Sequence, residues 1–117
     1  MAKKVKKEAY KKSILTDDME HCCICGRGPV QIHHIYGGAN RNLSTEQDMI
    51  VPLCWDCHRK LHTDPNQHMR FKLMRDAQDK WELEFIENHN NGSIQSYVEA
   101  QHRARDEFRK LYGKSYL

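Results

Sequence analysis

Four cysteines in two pairs constrain this chain more than any other feature. Cys22 and Cys25 form one Cys-x-x-Cys pair, Cys54 and Cys57 a second. His33 and His34 lie between the pairs, and His58 and His62 follow directly after the second. A two-residue gap lets both sulfurs of a pair face one ion, and two such pairs supply the four thiolates of a closed tetrahedral Zn²⁺ site. The remaining histidines suffice for a second, open metal site.

The first knuckle leaves a choice of register. Cys23 is the spare thiol if Cys22 pairs with Cys25, but Cys23 with Cys25 is a second, poorer pairing, and His21 could substitute for a sulfur. Gly26, Gly28 and Pro29 close the segment with a tight turn, as backbone folding back over an ion requires. In a reducing compartment paired cysteines hold metal more often than disulfides, and the total of five leaves a disulfide framework incomplete. The setting expected is therefore cytoplasmic.

Composition bounds the rest. At 117 residues the chain suits one domain that buries roughly two thirds of its unfolded surface, so a cross-linking metal would help. Hydrophobic residues make up 38% and charged residues 30%, and no apolar run is long enough to span a bilayer. The lysine-rich N-terminus is followed by no apolar segment and does not read as a secretory signal. The net charge of +3 is concentrated there: Lys3, Lys4, Lys6, Lys7, Lys11 and Lys12 stand against Glu8 alone, leaving residues 13–117 at −2. Residues 1–12 read either as a solvated arm or as one that lies along a phosphate backbone and adds salt-dependent affinity.

Residues 13–117 read as a single domain, with knuckles and core at 21–62 and a helical scaffold at 63–117. Val30 to Ile35 is rich in β-branched residues and reads as a strand, so His33 and His34 point to opposite faces. Tyr36 to Ser44 carries loop chemistry, including Arg41, which could reach a phosphate. Ser44 to Asp48 suits a helical turn, and Met49 to Leu53 a second strand that Pro52 limits to an edge or an end. From Cys54 the chain reads as a knuckle running into a helix, on which His58 and His62 stack one turn apart. Beyond it, Phe71, Met74, Ala77, Trp81 and Phe85 read as one core stripe. Ile94, Tyr97, Val98, Ala104, Phe108 and Leu111 read as another, begun by Ser93 and ended by Gly113.

His33-His34, then Cys57-His58-x-x-x-His62, set between knuckles at Cys22/Cys25 and Cys54/Cys57, resembles the HNH endonucleases of the ββα-metal superfamily. The resemblance covers about residues 21 to 62. Gly37-Gly38-Ala39-Asn40-Arg41 and Gly113-Lys114-Ser115-Tyr116-Leu117 are similar to small phage-borne HNH proteins of the recombination enhancement function type. The fold class implied is α+β, a small ββα-metal core with a four-cysteine zinc site and flanking C-terminal helices. The activity implied is hydrolysis of DNA phosphodiester bonds in a bacterial or phage-infected cell. His34 would be the general base. His33, His58 and His62 would hold one catalytic divalent ion, Mg²⁺ or a transition metal, beside the structural Zn²⁺. DNA is the partner implied, contacted by the lysines of the arm and Arg41; a recombination protein is a candidate second partner, and no membrane is involved.

One position departs from the family pattern. The motif asparagine that orients the base should fall at Met49, and methionine cannot hold an imidazole by hydrogen bonding. Asp48, Asn40 or Asn42 is the substitute expected. If none serves, the chain is a zinc-ribbon module that binds DNA or recruits a partner without cutting. A third reading has all the ligands serving two structural zinc ions.

Overall fold

The computed structural model describes residues 12–117 and is a mixed α+β arrangement with one small sheet and four helices. Apart from Lys12, the basic arm lies outside the described residues. Strand β1 (Val30–His34) pairs antiparallel with β2 (Ile50–Cys54), in a register that sets His34 opposite Ile50, His33 opposite Val51 and Val30 opposite Cys54. Strand β1 begins as expected and ends one residue earlier, and β2 is shifted by one residue from its expected bounds. The ladder runs one step further, since the Ile35 amide donates to the Met49 carbonyl at 2.9 Å.

Residues between the strands are more ordered than loop chemistry suggests. A 3₁₀ turn at Gly38–Asn40 leads into α1 (Arg41–Glu46), which begins earlier than the Ser44 to Asp48 turn expected. The reason lies in Ser44, which is fully buried. Its hydroxyl donates to the Tyr36 carbonyl at 2.6 Å and accepts from the Tyr36 amide at 3.2 Å, binding α1 to the end of β1. The connection closes when the Met49 amide donates to the Ser44 carbonyl at 2.7 Å.

Helix α2 (Trp55–Thr63) starts directly after the last residue of β2 and packs on both strands. Cys54 caps it, its sulfur accepting from the Cys57 amide at 3.4 Å. An electron-rich sulfur at a helix N-terminus satisfies one orphan donor and suits the positive end of the helix dipole. Every residue of β2 is buried, and Pro52 sits mid-strand with its carbonyl accepting from the Cys23 amide at 2.9 Å. In a two-stranded sheet both strands are edges, so the missing proline N–H costs no ladder bond. The first knuckle is thereby fastened to the outer edge of β2.

Helices α3 (His68–His89) and α4 (Ile94–Tyr112) pack against each other, and each expected stripe holds in part: Ala77, Ala104 and Phe108 are fully buried, and Met74, Trp81 and Phe85 pack against the core. On α3 the buried positions are Leu73, Ala77, Gln78, Glu82 and Ile86; Phe71 is exposed, and Met74, Trp81 and Phe85 are half-buried. On α4 they are Ala100, Ala104, Phe108 and Tyr112, whereas Ile94, Tyr97, Val98 and Leu111 face outward. Two alanines on α4 let its backbone approach α3 near Ile86, and the contact follows these small residues rather than the larger apolar ones beside them. Ser93 caps α4 through the Ser96 amide, and Gly113, at φ 85°, ends it with its amide on the Arg109 carbonyl. No helix among the described residues is long and apolar enough to cross a membrane.

Candidate metal centre and active site

The first knuckle is closed by two backbone bonds, Cys22 amide to Arg27 carbonyl at 2.8 Å and Gly26 amide to Cys22 carbonyl at 2.9 Å. Gly26 stands at φ 78°, a conformation that favours glycine. This turn brings Cys22 and Cys25 to Cys54 and Cys57, and the four sulfurs lie within 4.8 Å of one another. Cys25 and Cys54 are 3.5 Å apart. Tetrahedral zinc with bonds of about 2.3 Å separates its sulfurs by about 3.8 Å, so the donor set fits that ion.

The electrostatics agree with a cation between the sulfurs. The Arg27 guanidinium, its Nε donating to Cys25 Sγ at 3.5 Å, holds that thiol down at about 6, while burial and hydrogen bonds from neighbouring sulfurs push Cys57 up to about 12. Ionising all four at such spacing creates a repulsion that a divalent ion relieves. The alternative registers fail on geometry. Cys23 lies outside the sulfur group, and His21 is exposed and turned to Asp18, its Nδ1 2.9 Å from Oδ2.

His33 from β1 and His58 and His62 from α2 form the second group, with one ring nitrogen of each within 4.8 Å of the others. His58 Nε2 and His62 Nε2 are 3.1 Å apart. Two nitrogens bound at about 2.1 Å on adjacent corners of an ion lie about 3.0 to 3.4 Å apart, so the pair has a ligand-like spacing. His33 is only 5% exposed. Burial, reinforced by the neighbouring His58 and His62 rings and by Arg70, depresses it to about 3, so it is a neutral donor at ordinary pH.

Gln31 is a member of this site that sequence reasoning missed. Its Oε1 lies 2.8 Å from His58 Nδ1, and a carbonyl oxygen there requires Nδ1–H, which turns the Nε2 lone pair toward His62 and the ion position. The period of a strand contains the signal: Gln31 is two residues before His33 and shares its face.

His34 takes the other face. It is half-buried, its pKa lowered by burial and by the Arg41 charge, and its Nε2 lies 3.0 Å from Thr45 Oγ1. The side chain found at that nitrogen is thus none of the three expected to replace the motif asparagine. Asn40 donates its amide to the Tyr112 carbonyl at 3.4 Å, Asp48 stands at φ 59° with its carboxylate 3.9 Å from Lys12 Nζ, and Met49 itself is fully buried in the core. His68, His89 and His102 are exposed and belong to neither donor group.

Arg41, expected as a phosphate contact, is exposed at the start of α1 and close enough to His34 to act on it. Of the arm lysines only Lys12 is described; Lys3, Lys4, Lys6, Lys7 and Lys11 lie outside the described residues. A family model described as a protein of unknown function, DUF968, matches residues 2–75. No curated protein and no solved structure matches the chain.

Proposed function

The chain belongs to the DUF968 family, and we propose that it is a metal-dependent endonuclease that hydrolyses DNA phosphodiester bonds. On this reading β1, β2 and α2 form the ββα-metal core of an HNH enzyme, and Cys22, Cys25, Cys54 and Cys57 hold a structural Zn²⁺. The observation that carries the proposal is the convergence of His33, His58 and His62 from two elements, directly beside His34 on the strand. A structural role would be served by the sulfur cluster alone.

His33, His58 and His62 would hold a divalent ion, Mg²⁺ or a transition metal, that neutralises charge developing on the scissile phosphate. His34 takes the proton of the attacking water, a contribution typically about 10²- to 10⁴-fold. Arg41 and Arg70 act electrostatically on His34 and His33, and the same positive potential attracts a phosphate backbone. Gln31 keeps His58 turned to the ion. The basic arm and Arg41 supply sequence-independent affinity, and a recombination protein is the partner this class of enzyme would serve.

Incubation of the zinc-loaded protein with supercoiled plasmid across Mg²⁺, Mn²⁺, Co²⁺ and Ni²⁺ tests the reading. Nicking or cutting with at least one ion is expected, and His34→Ala should lower it at least about 10²-fold with zinc content unchanged. Cleavage by the variant at the parental rate would remove His34 from the chemistry. The buried Met49 at the asparagine position favours the second reading, a zinc module that binds DNA without cutting. Salt-sensitive binding with no cleavage under any metal would establish it.

A further inference from the structure

Thr45 stands near the end of α1, 4% exposed, and its hydroxyl faces two groups. Oγ1 is 3.0 Å from His34 Nε2 and 3.3 Å from the Arg41 carbonyl oxygen one turn back along the helix. A hydroxyl carries one proton and two lone pairs. When the proton goes to the i−4 carbonyl, as threonine side chains in helices favour, Oγ1 meets the imidazole only as an acceptor. The ring must then present Nε2–H. In the reverse arrangement the hydroxyl donates to Nε2 and the Arg41 contact is left unmade, so two hydrogen bonds stand against one.

The hydroxyl is also held in place relative to β1. Its neighbour Ser44 is bonded in both directions to Tyr36, two residues after His34. The Asp48 amide donates to the Thr45 carbonyl at 3.3 Å, and the Met49 amide to that of Ser44 at 2.7 Å. Thr45 is therefore fixed to the same strand end as the imidazole it touches.

We infer that Thr45 is the positioning residue of His34: it holds the ring with the proton on Nε2, so that Nδ1 carries the lone pair that receives the proton of water. The inference rests on the reading of His34 as general base. In the reaction the water oxygen bonds to phosphorus while one of its protons passes to Nδ1. The bond from phosphorus to the leaving ester oxygen breaks with its electron pair, and that oxygen is protonated from solvent.

The test uses the full chain, zinc-loaded and labelled with ¹⁵N-histidine, as parent, Thr45→Val and Thr45→Ser. Nitrogen shifts of His34 in the parent should report Nε2–H. Thr45→Val, which keeps the shape and loses the acceptor, should mix the two tautomers, and Thr45→Ser should restore the parental spectrum. In the plasmid assay Thr45→Val should lower kcat about 10-fold or more with KM little changed, and Thr45→Ser should stay within about 3-fold of the parent. A parental ring protonated on Nδ1, or a Thr45→Val spectrum identical to the parent's, would overturn the inference. Should the parent cut nothing under any metal, the nuclease reading fails and the base role inferred for Nδ1 fails with it, while the spectra still decide whether Thr45 sets the tautomer.

Discussion

Tyr36 and Tyr112 lie with ring centroids 4.5 Å apart in one aromatic cluster, yet their hydroxyls differ in kind. Tyr36 donates to the Met74 carbonyl at 2.6 Å, whereas the buried Tyr112 hydroxyl has no hydrogen-bond partner among the described residues. Removing a satisfied buried hydroxyl costs free energy, and removing an unsatisfied one relieves a desolvation penalty. Urea unfolding should show Tyr36→Phe less stable by about 1 kcal/mol and Tyr112→Phe unchanged or more stable by up to about 1 kcal/mol. Equal losses in both would show that ring packing alone matters there. Burial pushes both phenols above their ordinary value. A raised folded value means stability that is fully present below about pH 10 and lost above it, so Tyr112→Phe should flatten the alkaline decline. Neither the contrast between these tyrosines nor the contact of Thr45 with His34 is written in local sequence, because each depends on which backbone arrives from a distant element.

Among the elements, α3 departs furthest from its apparent pattern. Gln78 is fully buried and Glu82 nearly so, and they work as one network. Gln78 Nε2 donates to Glu82 Oε2 at 2.6 Å and to Ser115 Oγ at 2.9 Å, and its Oε1 accepts from the Tyr116 amide at 2.6 Å. Arg105 from α4 donates to the same Glu82 oxygen at 2.8 Å. This network holds α3, α4 and residues 115–116 together, with Tyr116 set 5.3 Å from the Tyr36 ring. Gln78→Ala leaves the part-buried Tyr116 amide without its partner, while Ser115 Oγ keeps its bonds to Leu117, and should cost about 1 to 2 kcal/mol, with faster hydrogen exchange at the Tyr116 amide. Unchanged exchange would mean that the aromatic contacts hold the segment alone. Hydrophobic periodicity finds Trp81 and Phe85, which pack against the core, but passes over Gln78 and Glu82, because it ranks residues by type, whereas a satisfied polar pair is buried at little cost.

For the molecule as a whole, the sulfur cluster joins the first knuckle, the end of β2 and the start of α2, so its loss is felt across the sheet and the histidine group. A structural zinc site supplies on the order of 10 kcal/mol, comparable with the net stability of a small domain. Cys54→Ser removes a sulfur ligand while leaving a hydroxyl that can still cap α2, so its effect isolates the metal site. It should abolish stoichiometric zinc and lower the thermal midpoint by well over about 10 °C, as read by metal analysis and circular dichroism. Melting at the parental temperature would show that the hydrophobic core, centred on Tyr36, Leu53, Leu61 and Phe108, suffices without metal.

The spacing of Cys22, Cys25, Cys54 and Cys57, and of His58 and His62, determined by itself that these donors could face common ions, because local geometry sets what a two-residue gap or one helical turn brings together. Strand order and both caps of α4 were legible for the same reason. The resemblance sets His33 with His58 and His62, and the fold brings the three together; tertiary structure alone decided that Gln31 orients one of them and that Thr45 meets His34. Those contacts are made across the sheet and its connection, where the register of β1 against β2 and the docking of α1 and α2, rather than any local preference, choose the neighbour.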